Sequence, residues 1–282
     1  MRGLRDALKG IPLLSAGILL IVVAAGLLGP LAAPYDPEEN DLLSSFLPPL
    51  WKQGGGMAHP LGTDQFGRDV LSRLIVGARI SLLVGCLAVF FSGFIGTTVA
   101  ITAGYLGGKV DAVLMRMTDA MLSMPYLLIG VALAGIMGPG LANLVIVLAV
   151  LGWASYARVI RSEVLRVKTQ DFIVLARITG CSTVRILTKH ILPNVVNTMI
   201  VLATLQLGIT IILAASLSFL GMGVPPPTPE WGLMVAEGRE FLSSSWWLAT
   251  LPGLCILFTC LAANLMGDWL RLRLDPKHRQ RA

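Results

Sequence analysis

Residues 120–157 read AMLSMPYLLIGVALAGIMGPGLANLVIVLAVLGWASYA, 38 residues without one aspartate, glutamate, lysine or arginine. A membrane-spanning helix needs about 20 apolar residues, because the hydrocarbon core is about 30 Å thick. As one helix the stretch would extend about 57 Å, so it must hold two spans. The break is visible at Gly138-Pro139-Gly140, because proline has no backbone N–H to donate and glycine favours a turn. The stretch therefore predicts two membrane helices joined by a short turn.

The rest of the chain repeats this pattern of long charge-free blocks. Of the 282 residues, 55% are hydrophobic and 13% are charged, whereas soluble proteins carry about 25% charged residues. Open sheets cannot exist in lipid, and the blocks lack the alternation of barrel strands. We therefore predict an all-α polytopic membrane protein with six transmembrane helices. The predicted spans are 12–33, 80–105, 113–137, 141–160, 196–220 and 248–270.

Lysine and arginine indicate the orientation of these spans. With a cytoplasmic N-terminus, the inner segments carry 17 of these residues and the outer segments carry 5. Positive charge accumulates on the cytoplasmic side of membrane proteins, so we expect both termini inside. The same bias accounts for the net charge of +6, and we expect no nucleic-acid binding. A signal peptide is the alternative for the first block, but that block is longer than the usual apolar run of about 7–15 residues.

Motifs for catalysis are missing from the sequence. There is no G-x-x-x-x-G-K-[ST] phosphate loop and no H-E-x-x-H, and the three histidines, His59, His190 and His278, are far apart. The four cysteines lack the spacing of a metal site. We therefore expect no enzyme activity and no bound metal. Because the spans hold few ionisable residues, an ion-gradient-driven secondary transporter is the weaker alternative from another class.

The long loop after the fourth span, residues 161–194, carries a series of helix start and stop signals. Gly180 can end a first helix with a positive φ at no steric cost. Ser182 or Thr183 can cap a second helix. Pro193 ends that helix or starts the next one, where its missing N–H matters least. These signals predict a compact helix–turn–helix on the cytoplasmic face.

This loop resembles the coupling loop of ABC importer permeases, whose signature is E-A-A-x-x-x-G followed by I-x-L-P. Val174, Leu175 and Ala176 fall on the E-A-A positions, Gly180 falls on the glycine, and residues 190–193, HILP, fall on I-x-L-P. The chain departs from the signature at the first two positions of E-A-A and at the first position of I-x-L-P.

The HILPN form of the second element is similar to the oligopeptide/dipeptide/nickel branch of these permeases. Further matches to that branch follow in order along the chain, at residues 59–64, 67–73, 77–82, 218–221, 227–232 and 267–268. The resemblance is to the second permease type, which carries an added N-terminal span and a large outer loop. It implies a permease subunit of an importer, with peptides as the first choice of substrate and nickel, glutathione or another small solute left open.

The resemblance also implies partners and a location. It implies a homologous second permease, two ATPase subunits and an extracytoplasmic binding protein, assembled in the lipid of the bacterial inner membrane. ATP and Mg would be used by the ATPase subunits, with no cofactor bound by this chain. The implied division is an N-terminal tail and first span (1–34), an outer loop (35–79), a five-span core (80–271) with the coupling loop at about 161–194, and a basic tail (272–282).

The expected ATPase-coupling residues lie in the loop. They are Asp171, Ile173, Ala176, Arg177, Gly180, Leu187, Leu192 and Pro193. Ala176 is small enough for close docking. Ile173 and Leu187 are expected to supply buried contact with the ATPase, and packing inside the loop is the alternative for both.

Two local ion pairs are also expected. Residues 68–79 are predicted to form an amphipathic interfacial helix in which Asp69 and Arg73 pair at i,i+4. Arg116 and Asp119 are predicted to pair on the surface of the third span.

Overall fold

The computed structural model describes residues 12–274, and its regular secondary structure is helical. Within that range the α-helices are α1 Leu13–Ala32, α2 Val70–Leu106, α3 Gly108–Ser123, α4 Tyr126–Met137, α5 Leu141–Lys168, α6 Asp171–Ile178, α7 Thr183–Ile186, α8 Leu192–Phe219, α9 Trp231–Gly238 and α10 Trp247–Leu274. The described residues form no sheet, and their one extended pairing is an isolated bridge between Thr63 and Asp69. The predicted all-α fold is confirmed. Residues 1–11 and most of the predicted basic tail lie outside the described residues.

Five helices are long and apolar enough to cross a membrane. They are α1, α2, α5, α10 and the continuous helix Thr183–Phe219, which joins α7 to α8. A sixth candidate is the pair α3 and α4, which meet at a bend of 94°. By length and composition, the described part of the chain therefore has five candidate spans, or six if this bent pair counts as one span.

The bend corrects the prediction of one straight helix over residues 113–137. Pro125 has no N–H for the helix ladder, and its ring pushes the preceding residue out of the helical region. Met124 accordingly has φ −93° and ψ 142°, an extended conformation that ends α3. The third predicted span is therefore two helices at a sharp angle.

The start of α2 corrects a second prediction. Residues 70–79 are the first turns of this 37-residue helix and not a separate interfacial helix. Asp69 is the N-cap, and its carboxylate accepts a hydrogen bond from the Ser72 N–H at 2.8 Å. The Nδ1 atom of His59 lies 3.0 Å from the same carboxylate, while Arg73 pairs with Glu237. The predicted Asp69–Arg73 pair is therefore wrong, because the carboxylate is occupied in starting the helix.

Among the described helices, α2 and α5 share the most extensive packing. A Cβ on Gly96 would overlap the carbonyl of Trp153, and one on Gly104 would press on the side chain of Val164 at 2.8 Å. Small residues let membrane helices approach, since lipid supplies no hydrophobic drive between them. This pair forms the centre of the fold. The apolar core continues to the loop after α5 at one end and to α9 at the other.

Candidate functional site

The helix–turn–helix after α5 has the geometry that the sequence predicts. Gly180 ends α6 with φ +77°. The Cys181 N–H donates to the Ala176 carbonyl and the Gly180 N–H to the Arg177 carbonyl, both at 3.0 Å. These two bonds are the Schellman pattern that satisfies the last carbonyls of a helix. Ser182 then caps α7, accepting from the Arg185 N–H at 3.4 Å.

Pro193 lies in the first turn of α8, which confirms one of the two predicted positions, the start of the next helix. The second helix of the loop, α7, runs into α8 through a π-helical turn, Leu187–Ile191, without a break. A widened turn is one way a helix absorbs a residue that cannot donate. The Asn194 side chain also donates to the His190 carbonyl at 2.7 Å. The HILPN segment thus lies within one continuous helix, Thr183–Phe219, that joins the loop after α5 to the apolar part of α8.

The predicted coupling residues separate into buried and exposed groups. Ile173 is fully buried and Ala176 nearly so, and both pack in the chain's own core with Val164 and Ile186. Leu187 and Leu192 are half-buried against the same cluster. For Ile173 and Leu187 the structure therefore matches the alternative, packing inside the loop. The exposed members are Asp171, Arg177, Gly180 and Pro193.

An exposed apolar surface lies on the other side of these helices, and none of its five residues is among the predicted coupling residues. This surface, the loop ridge, consists of Phe172, Val174, Leu175, Ile178 and Val184. Ile178 is 76% exposed and Leu175 is 60% exposed. Contiguous exposed apolar residues outside the lipid mark interaction sites. The sequence does not single out these residues, because apolar side chains lie on all sides of α6.

A cationic contact joins the loop to the end of α2. The Lys168 ammonium donates to the carbonyls of Gly104 at 3.1 Å and Tyr105 at 2.6 Å. Unpaired carbonyls at a helix C-terminus favour a cation. The Arg177 guanidinium of α6 lies 5.1 Å from the Tyr105 ring centre. A displacement of α6 would therefore reach α2 as well as α5.

Two ion pairs tie α3 to α5. Asp111 accepts two hydrogen bonds from the Arg161 guanidinium, and Asp119 pairs with Arg158. The predicted Arg116–Asp119 pair is wrong, because the carboxylate of Asp119 faces α5. The Arg158–Asp119 pair is exposed, and exposed pairs contribute little to stability, about 0–1 kcal/mol.

At the other end of the molecule, residues 34–69 and 221–246 together cover the start of α2. We call these two segments the outer cap, because the charge bias of the sequence predicts that they lie outside. They are held together by four charged side chains, Asp64, Arg68, Arg73 and Glu237. Arg68 lies 2.6 Å from Asp64 and 3.1 Å from Glu237, and Arg73 lies 3.0 Å from Glu237 and 3.6 Å from Asp64. Both arginines are buried, so the two carboxylates neutralise charge that water does not reach.

A second anchor of the outer cap is the segment PTPEWG. Glu230 caps α9, accepting from the N–H groups of Gly232 at 3.0 Å and Leu233 at 2.9 Å. The Ser81 hydroxyl of α2 donates to the same carboxylate at 3.3 Å. The Trp231 indole N–H donates to the Leu74 carbonyl at 3.0 Å. This segment thus fastens α9 across the side of α2.

Comparison with known proteins identifies the class of protein that this architecture serves. Residues 96–280 match the family described as "Binding-protein-dependent transport system inner membrane component". The chain is 44% identical over 259 residues to the di/tripeptide transport system permease protein DppC of Pseudomonas aeruginosa, covering 92% of this chain and 86% of the relative. It is 45% identical over 262 residues to the dipeptide transport system permease protein DppC of Escherichia coli K12, covering 93% and 87%. It is 43% identical over 263 residues to the glutathione transport system permease protein GsiD of Escherichia coli strain 536, covering 92% and 84%.

The chain therefore belongs to the inner-membrane permeases of the peptide/nickel ABC importer family. The resemblance drawn from the sequence is confirmed. The family is a non-catalytic transporter subunit of the inner membrane, and it works with a binding protein and with ATPase partners.

Proposed function

We propose that this chain is one of two homologous permease subunits that form the translocation path of an importer for di- and tripeptides. The observation that carries the proposal is the identity of 44–45% to the two DppC permeases over nearly the whole chain. Glutathione is the strongest alternative, given 43% identity to GsiD, and nickel or another small solute follows. The test is ATP-dependent uptake of a labelled dipeptide, glutathione and a nickel chelate by the complete complex in proteoliposomes. Uptake of glutathione or nickel without the dipeptide would overturn the peptide assignment.

The coupling step follows from the loop ridge. We infer that two ATPase subunits bind ATP and Mg, and that one of them receives the ridge in a groove. When the ATPase dimer closes, α6 moves with it. The Schellman turn at Gly180 and the Lys168 contact are rigid links, so the movement passes to α2, to α5 and to the continuous helix Thr183–Phe219. Packed elements shift between discrete arrangements, which here would be inward- and outward-facing pores.

Replacing Leu175 with glutamate should reduce the amount of ATPase that copurifies with the permease at least tenfold. The side chain is 60% exposed in the centre of the ridge, and a carboxylate there would be desolvated on docking. The matched control is Leu272→Glu, at an exposed position (61%) near the cytoplasmic end of α10. Equal retention of ATPase by both variants would show that the ridge is not the docking surface.

The proposed topology has both termini in the cytoplasm, with residues 34–79 and 222–247 outside. The excess of lysine and arginine on the inner segments supports it. In a cysteine-free background, a single cysteine at position 175 should be labelled only after the membrane is permeabilised, and one at position 43 should be labelled in intact spheroplasts. Labelling of position 175 from outside would contradict this orientation.

A further inference from the structure

A widely open cavity of about 390 Å³, shaped as a groove, lies between α4, α8, α9 and α10. Its lining is apolar apart from one hydroxyl, and consists of Leu127, Ile212, Ala215, Ser216, Phe219, Leu220, Gly232, Val235 and Ile256. Phe219 is the last residue of α8 and Ile212 lies two turns earlier, so the cavity extends about 10 Å along this helix. In the proposed topology it opens in the outer half of the membrane, below the outer cap. Its size is that of sites that bind small ligands, about 300–1,000 Å³.

One cation stands at the rim of this cavity. Arg239 lies in the short 3-10 helix that follows α9, and its guanidinium is 4.9 Å from the centre of the Phe219 ring. The side chain is exposed, and within residues 12–274 it has no carboxylate within ion-pair distance. The neighbouring Arg68 and Arg73 are different, because each is paired with Asp64 and Glu237. Arg239 therefore presents a planar fork of N–H donors that can take a carboxylate in a bidentate manner.

The cavity wall offers little else that would recognise a polar group. The Ser216 hydroxyl donates to the Ile212 carbonyl at 2.8 Å, so its proton is already used. No titratable side chain lines the cavity. A ligand that fits would place one carboxylate at the rim and an apolar or variable group inside. A short peptide has this arrangement, with a terminal carboxylate next to its last side chain.

We propose that Arg239 and this cavity form an acceptor site for the C-terminal residue of the transported peptide. Arg239 binds the terminal carboxylate, and the cavity holds the side chain while the peptide passes from the binding protein into the pore. The proposal rests on the peptide function proposed above. An apolar wall that makes no specific hydrogen bond also accepts side chains of different shape. The site therefore recognises the terminal carboxylate and not the side chain.

The test compares Arg239→Gln with the unaltered complex on a dipeptide that has either a free or an amidated C-terminus. The binding protein is the same in all arms, so its own preference cancels when the effects of the substitution are compared. We expect the KM for the free acid to rise roughly tenfold, the loss of one charge-assisted interaction near water, and the KM for the amide to change less than twofold. Arg239→Lys keeps the charge but not the fork, and should give an intermediate value.

The matched control is Lys52→Gln, since Lys52 is also an exposed outer cation above an aromatic ring, 4.6 Å from Trp247. It should leave both KM values unchanged. If Arg239→Gln raised the KM for the free acid and for the amide equally, the arginine would have a structural role. If it raised neither KM, Arg239 would not contact the transported peptide. Either result would overturn the acceptor site while peptide uptake by the unaltered complex still supported the proposed function.

The cavity itself is tested with Ser216→Phe, which fills it from α8. We expect the uptake of a dipeptide ending in leucine to fall at least fivefold more than that of diglycine, because the larger side chain loses its place. The second permease could instead insert a side chain here. In that case Ser216→Phe would prevent the two permeases from copurifying, and that outcome would also overturn the proposal.

Discussion

Replacing Arg73 with methionine should open the outer cap and abolish transport. The Arg73 guanidinium is 1% exposed and joins parts of the chain that are far apart. It donates to Glu237 of α9 at 3.0 Å and to the Pro37 carbonyl at 3.2 Å, and it lies 3.6 Å from Asp64. Removing one member of a buried charge cluster costs about 3–5 kcal/mol, because the remaining charges stay buried with fewer partners. We expect a lower unfolding temperature in detergent and rapid proteolysis within residues 34–69.

Two further substitutions separate charge from geometry. Arg79→Met removes an exposed arginine from the same helix, two turns further along, and should leave the unfolding temperature nearly unchanged. Arg73→Lys keeps the charge but cannot reach the same set of acceptors. Its unfolding temperature should therefore lie between those of Arg73→Met and Arg79→Met. If Arg73→Met were as stable as Arg79→Met, the four buried charged side chains around Arg73 would not hold the outer cap together.

The sequence predicts the membrane helices well, because their signal is local. A charge-free block of about 20 residues has one stable arrangement in lipid, and each block contains its own evidence. The turn at Gly180 is predictable for the same reason, since a glycine followed by a capping serine is a local pattern. Pro125 is also a local signal for a break in the helix. It lies inside the charge-free block 120–157, however, and the length of that block before the turn at Gly138 predicts one uninterrupted span there.

The outer-cap cluster could not be predicted from the sequence. Arg73 and Glu237 are 164 residues apart, and the nearer carboxylate, Asp69, is the one that spacing on a helix selects. Only the folded chain shows that Asp69 caps α2 and is not available. Pairing between residues so far apart in sequence depends on how the loops pack in the folded chain. Local periodicity in the sequence carries no information on that packing.

The orientation of α6 about its own axis could not be predicted from the sequence either. Its apolar residues lie on all sides of the helix, at positions 172–175 and 178, so the helical period does not choose which of them is buried. The core formed by α5 and α8 selects Ile173 and leaves Leu175 and Ile178 outside. The sequence therefore predicts the helix itself, while the choice of Leu175 and Ile178 as proposed docking residues rests on the structure.

The turn that orients α6 gives the second large effect. Gly180→Val should abolish ATP-dependent transport while the chain stays inserted in the membrane. Gly180 has φ +77°, and a Cβ built there would meet nothing within 4 Å. The strain would therefore come from the backbone alone, since a β-branched residue at positive φ is a steric outlier that costs of order 1–3 kcal/mol. That energy corresponds to roughly a 5- to 150-fold shift in a two-state equilibrium, enough to move the turn away from its native conformation.

Gly180→Asn is the matched control, because asparagine tolerates positive φ and the position has room for its side chain. If backbone conformation is what matters, the asparagine variant should keep most of the transport activity while the valine variant loses it. Insertion depends on the hydrophobicity of the spans, so both variants should reach the same abundance in the membrane. The measurements are uptake, ATPase activity stimulated by the binding protein, and membrane abundance in the same preparation.

In the valine variant we expect the relaxed turn to carry the loop ridge out of register with the ATPase groove, so that hydrolysis no longer drives uptake. Normal uptake by Gly180→Val would show that the ridge can dock without this turn, and coupling would then have to pass through the Lys168 contact instead.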